Sequence, residues 1–242
     1  RFSGIPFDAD HPYEYREAKR VLQLALDELL QNKHLRRLGI DPSQRGRPKI
    51  TGKASSSVWD CLTLKNAVAK KFTEAPHLTM SIRQRGHVLV MVTIPNGVRT
   101  SIRRNMIHMG QRRFCDIILG IATDLTKRLK KAKEAKPWMD VVQRHFLTQG
   151  SNGIEDARLE YDLRTALGRN EGRKKAGDRV KNQPEWLDAT YEAWSKKRSN
   201  LQIGVGAIFP FNCAVLHTRE ALRYFAETWL ACETLIGAAL GR

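Results

Sequence analysis

The stretch His87-Val-Leu-Val-Met-Val-Thr-Ile94 is nearly all apolar and rich in β-branched residues. A run of this length and composition predicts a strand that is buried on both faces. Just before it, Leu78, Met80 and Ile82 alternate with polar residues, which is the period of a half-buried strand. The intervening segment 84–86, Gln-Arg-Gly, is typical of a tight turn, so the two strands are predicted to form a hairpin.

A third strand is predicted over residues 201–209, where Gly204 and Gly206 indicate a bulge or a close backbone approach. Elsewhere the apolar residues follow helical spacing. The first helix is expected to start at Asp10, which would cap it, and to end by Gly39. Further helices are predicted over residues 58–72, 102–109, 114–129, 138–146, 154–167, 185–197 and 218–240. The predicted fold is therefore α+β, mainly α-helical with a small β-sheet formed by strands near residues 78–83, 87–95 and 201–209.

The length of the chain is compatible with one large domain or two small ones. The 242 residues are 41% hydrophobic, which is enough for a packed core, and no apolar run is long enough to cross a membrane. We expect a single nucleic-acid-binding domain over residues 1–242, with flexible basic loops over residues 40–57 and 168–184. Because the chain starts at an arginine and has no signal region, we expect it to be a fragment of a longer protein.

The cysteines do not suggest a metal site or a disulfide framework. None forms a Cys-x-x-Cys pair, and scattered thiols of this kind are usually buried and reduced. This favours an intracellular setting, in cytoplasm, nucleoid or nucleus. The sequence also lacks His-x-x-x-His spacing and a phosphate-binding Gly-Lys-Ser/Thr loop, so neither a metal nor a cofactor is expected. The cysteines are Cys61, Cys115, Cys213 and Cys232.

The charge of the chain indicates its partner. Lysine and arginine number 42 against 25 aspartates and glutamates, which gives a net charge of +17. Such a basic protein attracts polyanions, and their binding is sensitive to salt. We expect a nucleic acid as the partner, with DNA favoured over RNA, and protein partners in a larger complex. No membrane partner is expected, because no exposed aromatic face accompanies the basic helices.

Residues 44–50 read Gln-Arg-Gly-Arg-Pro-Lys-Ile. The glycine removes side-chain bulk between two guanidinium groups, and the proline keeps the chain extended. The segment resembles the AT-hook of high-mobility-group chromatin proteins, whose core is Arg-Gly-Arg-Pro flanked by lysine or arginine. This resemblance implies that Arg45 and Arg47 enter an A·T-rich minor groove, while Lys49 and Lys53 contact the flanking phosphates. The alternative interpretation is a basic surface loop.

Other cations extend the predicted phosphate contacts into a broad basic face. One group continues the helix over 114–129 as a dense basic end that Pro137 terminates, and another lies in the loop 168–184. That loop is either a phosphate-gripping arm or a solvated connection. The additional candidates are Arg103, Arg104, Arg112, Arg113, Lys130, Lys131, Lys133, Arg173, Lys174, Lys175 and Arg179.

Arg103 and His108 are the candidates for catalysis. Their spacing resembles the Arg-x(4–6)-His pattern of HEPN-type RNases, in which the two residues act on the scissile phosphate and the ribose hydroxyl. In that family the motif lies on the second of a pair of long helices in a small all-α domain, whereas here it follows a predicted strand. Carboxylates farther along are interpreted as helix-surface groups that pair with Arg158 and Arg164.

Three functions follow from these observations. The leading prediction is a non-enzymatic DNA-binding protein that grips the phosphate backbone and uses the AT-hook-like segment in the minor groove. The first alternative is a nucleic-acid-cleaving enzyme with Arg103 and His108 at its site. The second is an RNA-binding scaffold of a ribonucleoprotein, which would recognise folded RNA by its shape.

Overall fold

The computed structural model describes residues 1–40, 56–64, 75–95, 101–145, 154–167, 185–195 and 201–242. In these ranges the chain forms an antiparallel sheet with helices packed against it. The strands are β1 (Ser57–Thr63), β2 (His77–Arg83), β3 (His87–Ile94), β4 (Lys136–His145), β5 (Ile154–Asp162) and β6 (Leu201–Pro210). The helices are α1 (Tyr15–Leu30), α2 (Ser101–Met109), α3 (Gln111–Arg128), α4 (Glu185–Ser195), α5 (Ala221–Ala231) and α6 (Glu233–Leu240).

The strand order is β1-β2-β3-β6-β4-β5, and every neighbouring pair is antiparallel. β2 and β3 form the predicted hairpin, with Gly86 at φ 86° in its turn. β3 lies between β2 and β6, and only its first residue, His87, is not buried. The predicted central strand and the predicted strand over 201–209 are therefore confirmed.

The predicted α+β class is confirmed, but the prediction of a small sheet is wrong, because the sheet has six strands rather than three. The described part of segment 58–72 forms β1, segment 138–146 forms β4, and segment 154–167 forms β5 followed by a short 3₁₀ helix. In β1, Val58 and Leu62 fit both the helical spacing and the two-residue period of a strand. Pairing with β2 along seven residues decides for the strand.

Several helix predictions hold, with corrected boundaries. α2 and α3 are separate helices joined through Gly110, and α4 begins at Glu185 as predicted. The first helix starts later than expected, since Glu14 rather than Asp10 caps it by accepting hydrogen bonds from the amides of Arg16 and Glu17. The predicted helix over 218–240 consists of α5 and α6, which meet at Cys232.

Helices α1, α3, α5 and α6 cover one face of the sheet. The even-numbered residues of β3, such as Val88 and Val90, face these helices and belong to the hydrophobic core. Trp229 of α5 is completely buried there, and its indole N–H donates to the carbonyl oxygen of Met91 at 3.1 Å. The packed side of the sheet therefore supplies most of the apolar burial that stabilises the fold.

The sheet curves toward its other face, which we call the concave face. Arg83 of β2 and Glu160 of β5 form an ion pair at 3.8 Å, although β3, β6 and β4 lie between their strands. Neighbouring strands are about 4.8 Å apart, so a flat sheet would separate β2 and β5 by about 19 Å. Because that distance exceeds the reach of the two side chains, the ion pair requires strong curvature.

Two glycines of β6 allow close packing on the concave face. A Cβ atom on Gly204 would lie 2.2 Å from Oδ1 of Asp140 and 2.3 Å from the sulfur of Met91. A Cβ atom on Gly206 would lie 2.0 Å from the carbonyl oxygen of Val90. The close backbone approach predicted from the two glycines is confirmed at Gly206, whereas Gly204 makes room for side chains.

Candidate nucleic-acid interface

Helix α3 buries one side and exposes the other. Phe114, Ile118, Ile121 and Leu125 are buried against the core. The opposite side carries two arginines, an aspartate, two small residues and a lysine, and the turn that follows the helix exposes three more lysines. We call this surface the α3 face. It consists of Arg112, Arg113, Asp116, Gly120, Thr123, Lys127, Lys130, Lys131 and Lys133.

The N-terminal end of α3 combines two features that favour an anion. Gly110 precedes the helix with φ 78° and provides no side-chain cap, and the first turn contains no acidic residue. Arg112 and Arg113 lie in that turn and are exposed. Cations next to the positive end of a helix dipole cost about 0.3–1 kcal/mol, and the first amides have no partner within the helix. A bound phosphate would neutralise the two arginines and accept hydrogen bonds from those amides.

The C-terminal end of the α3 face is anchored to the core. α3 ends at Arg128, and a short 3₁₀ helix, Leu129–Lys131, follows. Leu129 and Ala132 are buried, which holds the exposed lysines between and after them on a fixed turn. The prediction of a helical basic end terminated by Pro137 is therefore wrong, since Pro137 lies in β4. Lys127, which sequence reasoning did not select, shares the exposed side through its helical spacing from Arg113 and Gly120.

Many arginines in the described part of the chain form ion pairs with carboxylates, whereas the cations of the α3 face do not. Arg83, Arg158, Arg164, Arg219 and Arg223 each pair with a carboxylate. Within the described ranges, no ion pair involves any of six cations on the α3 face or the exposed Arg104 of α2. The six are Arg112, Arg113, Lys127, Lys130, Lys131 and Lys133. Their charge is available to an external anion.

The structure does not bring Arg103 and His108 together. They are five residues apart on α2, which places their side chains about 140° apart around the helix axis. Arg103 is half-buried, whereas His108 is exposed on the side of Arg104. The nine-residue α2 also follows β3 in an α+β fold, unlike the long paired helices of the HEPN-type domain. The geometry gives no support to a catalytic pair here.

The remaining sequence candidates lie outside the described residues. They are Arg45, Arg47, Lys49 and Lys53 of the AT-hook-like segment, and Arg173, Lys174, Lys175 and Arg179 of the loop 168–184. The segments outside the described ranges contain 17 of the 42 lysines and arginines but only 4 of the 25 acidic residues. The described ranges therefore carry a net charge of +4 and the connecting segments +13. The unpaired cations of the α3 face are a local concentration of charge within an otherwise nearly balanced core.

The concave face holds a second group of charged residues, which form two ion pairs, while Oδ1 of Asp140 and Nε2 of His87 are buried without a hydrogen-bond partner among the described residues. Arg158 donates to Asp140, and Arg83 pairs with Glu160. Burial lowers the pKa of His87, and the guanidinium of Arg83 lowers it further, so the imidazole is neutral near pH 7. These groups form a structural network between strands.

The predicted pairing of Arg164 with a carboxylate is confirmed, because it binds Asp162, although this segment is a strand followed by a 3₁₀ helix rather than an α-helix. The hydrogen bonds from Arg164 outweigh the effect of burial and hold the pKa of Asp162 below its usual value. Arg158 pairs with Asp140 of the neighbouring strand. In the ranges that the structure describes, no group of three or more histidines, cysteines or carboxylates could hold a metal ion.

No protein-family model matches the chain, and no curated protein is significantly similar to it. Function is therefore inferred from the geometry and charge of the described residues. Among the helices in those residues, none has the length and apolar character needed to cross a lipid bilayer.

Proposed function

We propose that the protein binds duplex nucleic acid, and DNA in preference to RNA, by phosphate contacts on the α3 face. The observation that carries this proposal is the uncapped N-terminus of α3, where two exposed arginines occupy a turn that would be more stable with acidic residues. From Arg112 to Lys127 the helix rises by about 22 Å, which corresponds to about six base pairs of DNA. The two basic ends of the α3 face can therefore contact phosphates at separate points of one duplex.

The chemistry of the α3 face favours contacts to phosphates over recognition of bases. Its middle consists of the small residues Gly120 and Thr123, which allow a close approach but offer little for base recognition. Gln111, the one amide side chain at the start of α3, already donates to Asp188 at 2.6 Å. Phosphate contacts fix the position of a protein on a duplex without reading its sequence. Any sequence preference must then come from another part of the chain.

Binding to duplex DNA should depend steeply on salt. If at least six cations contact phosphates, the slope of log affinity against log salt is expected to be about −5 or steeper, because each contact releases condensed counterions. Fluorescence anisotropy with a labelled duplex over a series of KCl concentrations measures this slope. A slope shallower than about −2 would contradict the proposal and leave the net charge without a role in binding.

A separate prediction concerns the AT-hook-like segment. It is based on the sequence alone, because residues 45–49 lie outside the described residues. Arg47→Ala should cost about 1–3 kcal/mol of binding free energy on an A·T-rich duplex and much less on a G·C-rich duplex. Lys49→Ala is the matched control, since a phosphate contact should be lost equally on both duplexes. An equal loss on both duplexes for Arg47→Ala would identify the segment as an ordinary basic loop.

A further inference from the structure

Residues 1–8, which we call the N-terminal segment, pack on the core without forming a helix or a strand. Phe2, Ile5 and Phe7 are 2%, 1% and 3% exposed. The ring of Phe7 packs against the ring of Phe211, with the two centroids 5.7 Å apart. Apolar burial therefore supplies most of the stabilisation that holds the segment on the core.

The backbone of the N-terminal segment is fixed beside a short 3₁₀ helix, Ala214–His217, which follows β6. The amide of Ile5 donates to the carbonyl oxygen of Leu216 at 2.7 Å. Gly4 has a φ of 136°, and a Cβ atom at this position would overlap the carbonyl group of His217. The two backbones are thus in direct contact, so their relative position is tightly constrained.

The side chain of His217 joins two backbone carbonyl groups. Its Nδ1 lies 2.9 Å from the carbonyl oxygen of Ile5, and its Nε2 lies 2.7 Å from the carbonyl oxygen of Phe211. Phe211 is held in turn, because its amide donates to the carbonyl oxygen of Gly86 at 2.8 Å. The imidazole therefore connects the N-terminal segment to the end of β6 and to the β2–β3 turn.

This geometry fits only one protonation state of the imidazole. A neutral ring has one N–H donor and one nitrogen lone pair, whereas a protonated ring has two N–H donors. In either neutral tautomer, a nitrogen lone pair would face a carbonyl oxygen at 2.7 or 2.9 Å, and two acceptors repel each other at that distance. The protonated ring of His217 can donate to both carbonyl oxygens.

The charged groups around His217 are engaged with other partners. Glu28 of α1 accepts hydrogen bonds from the amide of Phe2 and from Arg219, and Asp8 accepts from amides of its own turn. Among the described residues, His217 forms no ion pair with a carboxylate. The two carbonyl oxygens are therefore the groups that favour the charged ring. The other titratable or charged groups on the elements packed around it are Arg1, His11, Arg85, Glu134, Cys213, Glu220 and Arg223.

We propose that His217 is a protonation-dependent clamp for the N-terminal segment. The imidazolium ion donates to the carbonyl oxygens of Ile5 and Phe211 together, and loss of its proton removes one of the two hydrogen bonds. Because the proton is bound in the docked state, the segment is held most tightly below neutral pH and opens more often as the pH rises through neutral. His217 is exposed, so water can supply and remove the proton.

The clamp changes a local opening and leaves the global fold intact. Phe2, Ile5 and Phe7 keep the N-terminal segment docked for most of the time in either protonation state, because their burial is far larger than the contribution of one hydrogen bond. The pH then sets how often the segment opens. This clamp is independent of nucleic-acid binding at the α3 face.

Hydrogen exchange of the Ile5 amide measures the opening, since this N–H is bonded to Leu216 only while the segment is docked. Quench-flow exchange with mass spectrometry gives its protection factor after correction for the intrinsic dependence of exchange on pH. In the wild type, protection at about pH 5.5 should exceed that at about pH 8 by about five- to tenfold. In His217→Gln, which has no titrating ring, protection should be lower at about pH 5.5 and should differ by less than about twofold between the two pH values.

A matched variant and a second measurement locate the effect at His217. His108→Gln removes another exposed histidine, on α2, and should keep the full pH dependence of the wild type. The ¹⁵N chemical shifts of the ring nitrogens distinguish the imidazolium ion from the two neutral tautomers. In wild-type protein at about pH 5.5, both ring nitrogens of His217 should carry a proton. This measurement decides the question even if His217→Gln does not fold.

Three results would overturn the clamp. One is equal protection of the Ile5 amide at the two pH values in the wild type. Another is the same pH dependence in His217→Gln as in the wild type, which would assign the titration to a different group. The third is a neutral tautomer of His217 at about pH 5.5 while the Ile5 amide remains protected.

Discussion

Removal of four cations from the α3 face is expected to lower affinity for duplex DNA on the order of a thousandfold at about 0.1 M salt. The variant carries Arg112→Gln, Arg113→Gln, Lys127→Gln and Lys130→Gln, which are all exposed positions without an ion-pair partner in the described ranges. With 1 M salt as the reference, each phosphate contact contributes up to about eightfold to the affinity at about 0.1 M salt. Loss of four such contacts therefore lowers the affinity on the order of a thousandfold. The salt slope should become shallower by about 3 to 4.

A matched variant separates this effect from a general loss of charge. Arg16, Lys19, Lys33 and Arg36 also comprise two arginines and two lysines, and they are exposed on α1 and the following 3₁₀ helix. Their replacement by glutamine removes the same charge from another surface. We expect less than about a fivefold loss of DNA affinity, because these four cations do not belong to the α3 face. Equal losses in the two variants would mean that net charge, and not the α3 face, determines binding. Circular dichroism and thermal melting of both variants check that the fold is retained.

Gly206→Ala is expected to lower the free energy of unfolding by about 3 kcal/mol or more. The added Cβ atom would lie 2.0 Å from the carbonyl oxygen of Val90 and 2.6 Å from the Cα atom of Met91, so strand β3 would have to move. Both atoms belong to the backbone of a central strand that is hydrogen-bonded on both sides and cannot shift alone. Urea denaturation followed by tryptophan fluorescence measures the loss.

Two other glycines provide the comparison for Gly206→Ala. Gly237 lies within α6, and its added Cβ atom would have its nearest neighbour at 4.0 Å, so Gly237→Ala should stabilise the protein by about 0.5–1 kcal/mol. Gly204→Ala should destabilise less than Gly206→Ala, because the nearest atoms are the movable side-chain ends of Asp140 and Met91. A Gly206→Ala protein as stable as wild type would contradict the close packing of β3 and β6.

The amino-acid sequence by itself determined the elements whose signals are local. The buried run of β3, the alternation in β2, the turn at Gly86 and the break at Gly110 each depend on neighbours within a few residues. Most cations of the α3 face were also visible, because they lie in two local basic runs of the sequence, at residues 112–113 and 130–133. All but one of its cations could therefore be selected, with Lys127 missed only because its spacing was not followed.

Only the tertiary structure decided the strands β1, β4 and β5, the curvature of the sheet, and which cations are available. The apolar residues of a short segment such as Ser57–Thr63 fit both the spacing of a helix and the two-residue period of a strand. Hydrogen bonding to β2 then selects the strand. Whether an arginine is paired depends on residues far along the chain, as Arg219 with Glu28 shows, and so does the partial burial of Arg103 on α2. Local periodicity is a property of consecutive residues, whereas pairing, burial and curvature arise from contacts between segments that sequence order does not place together.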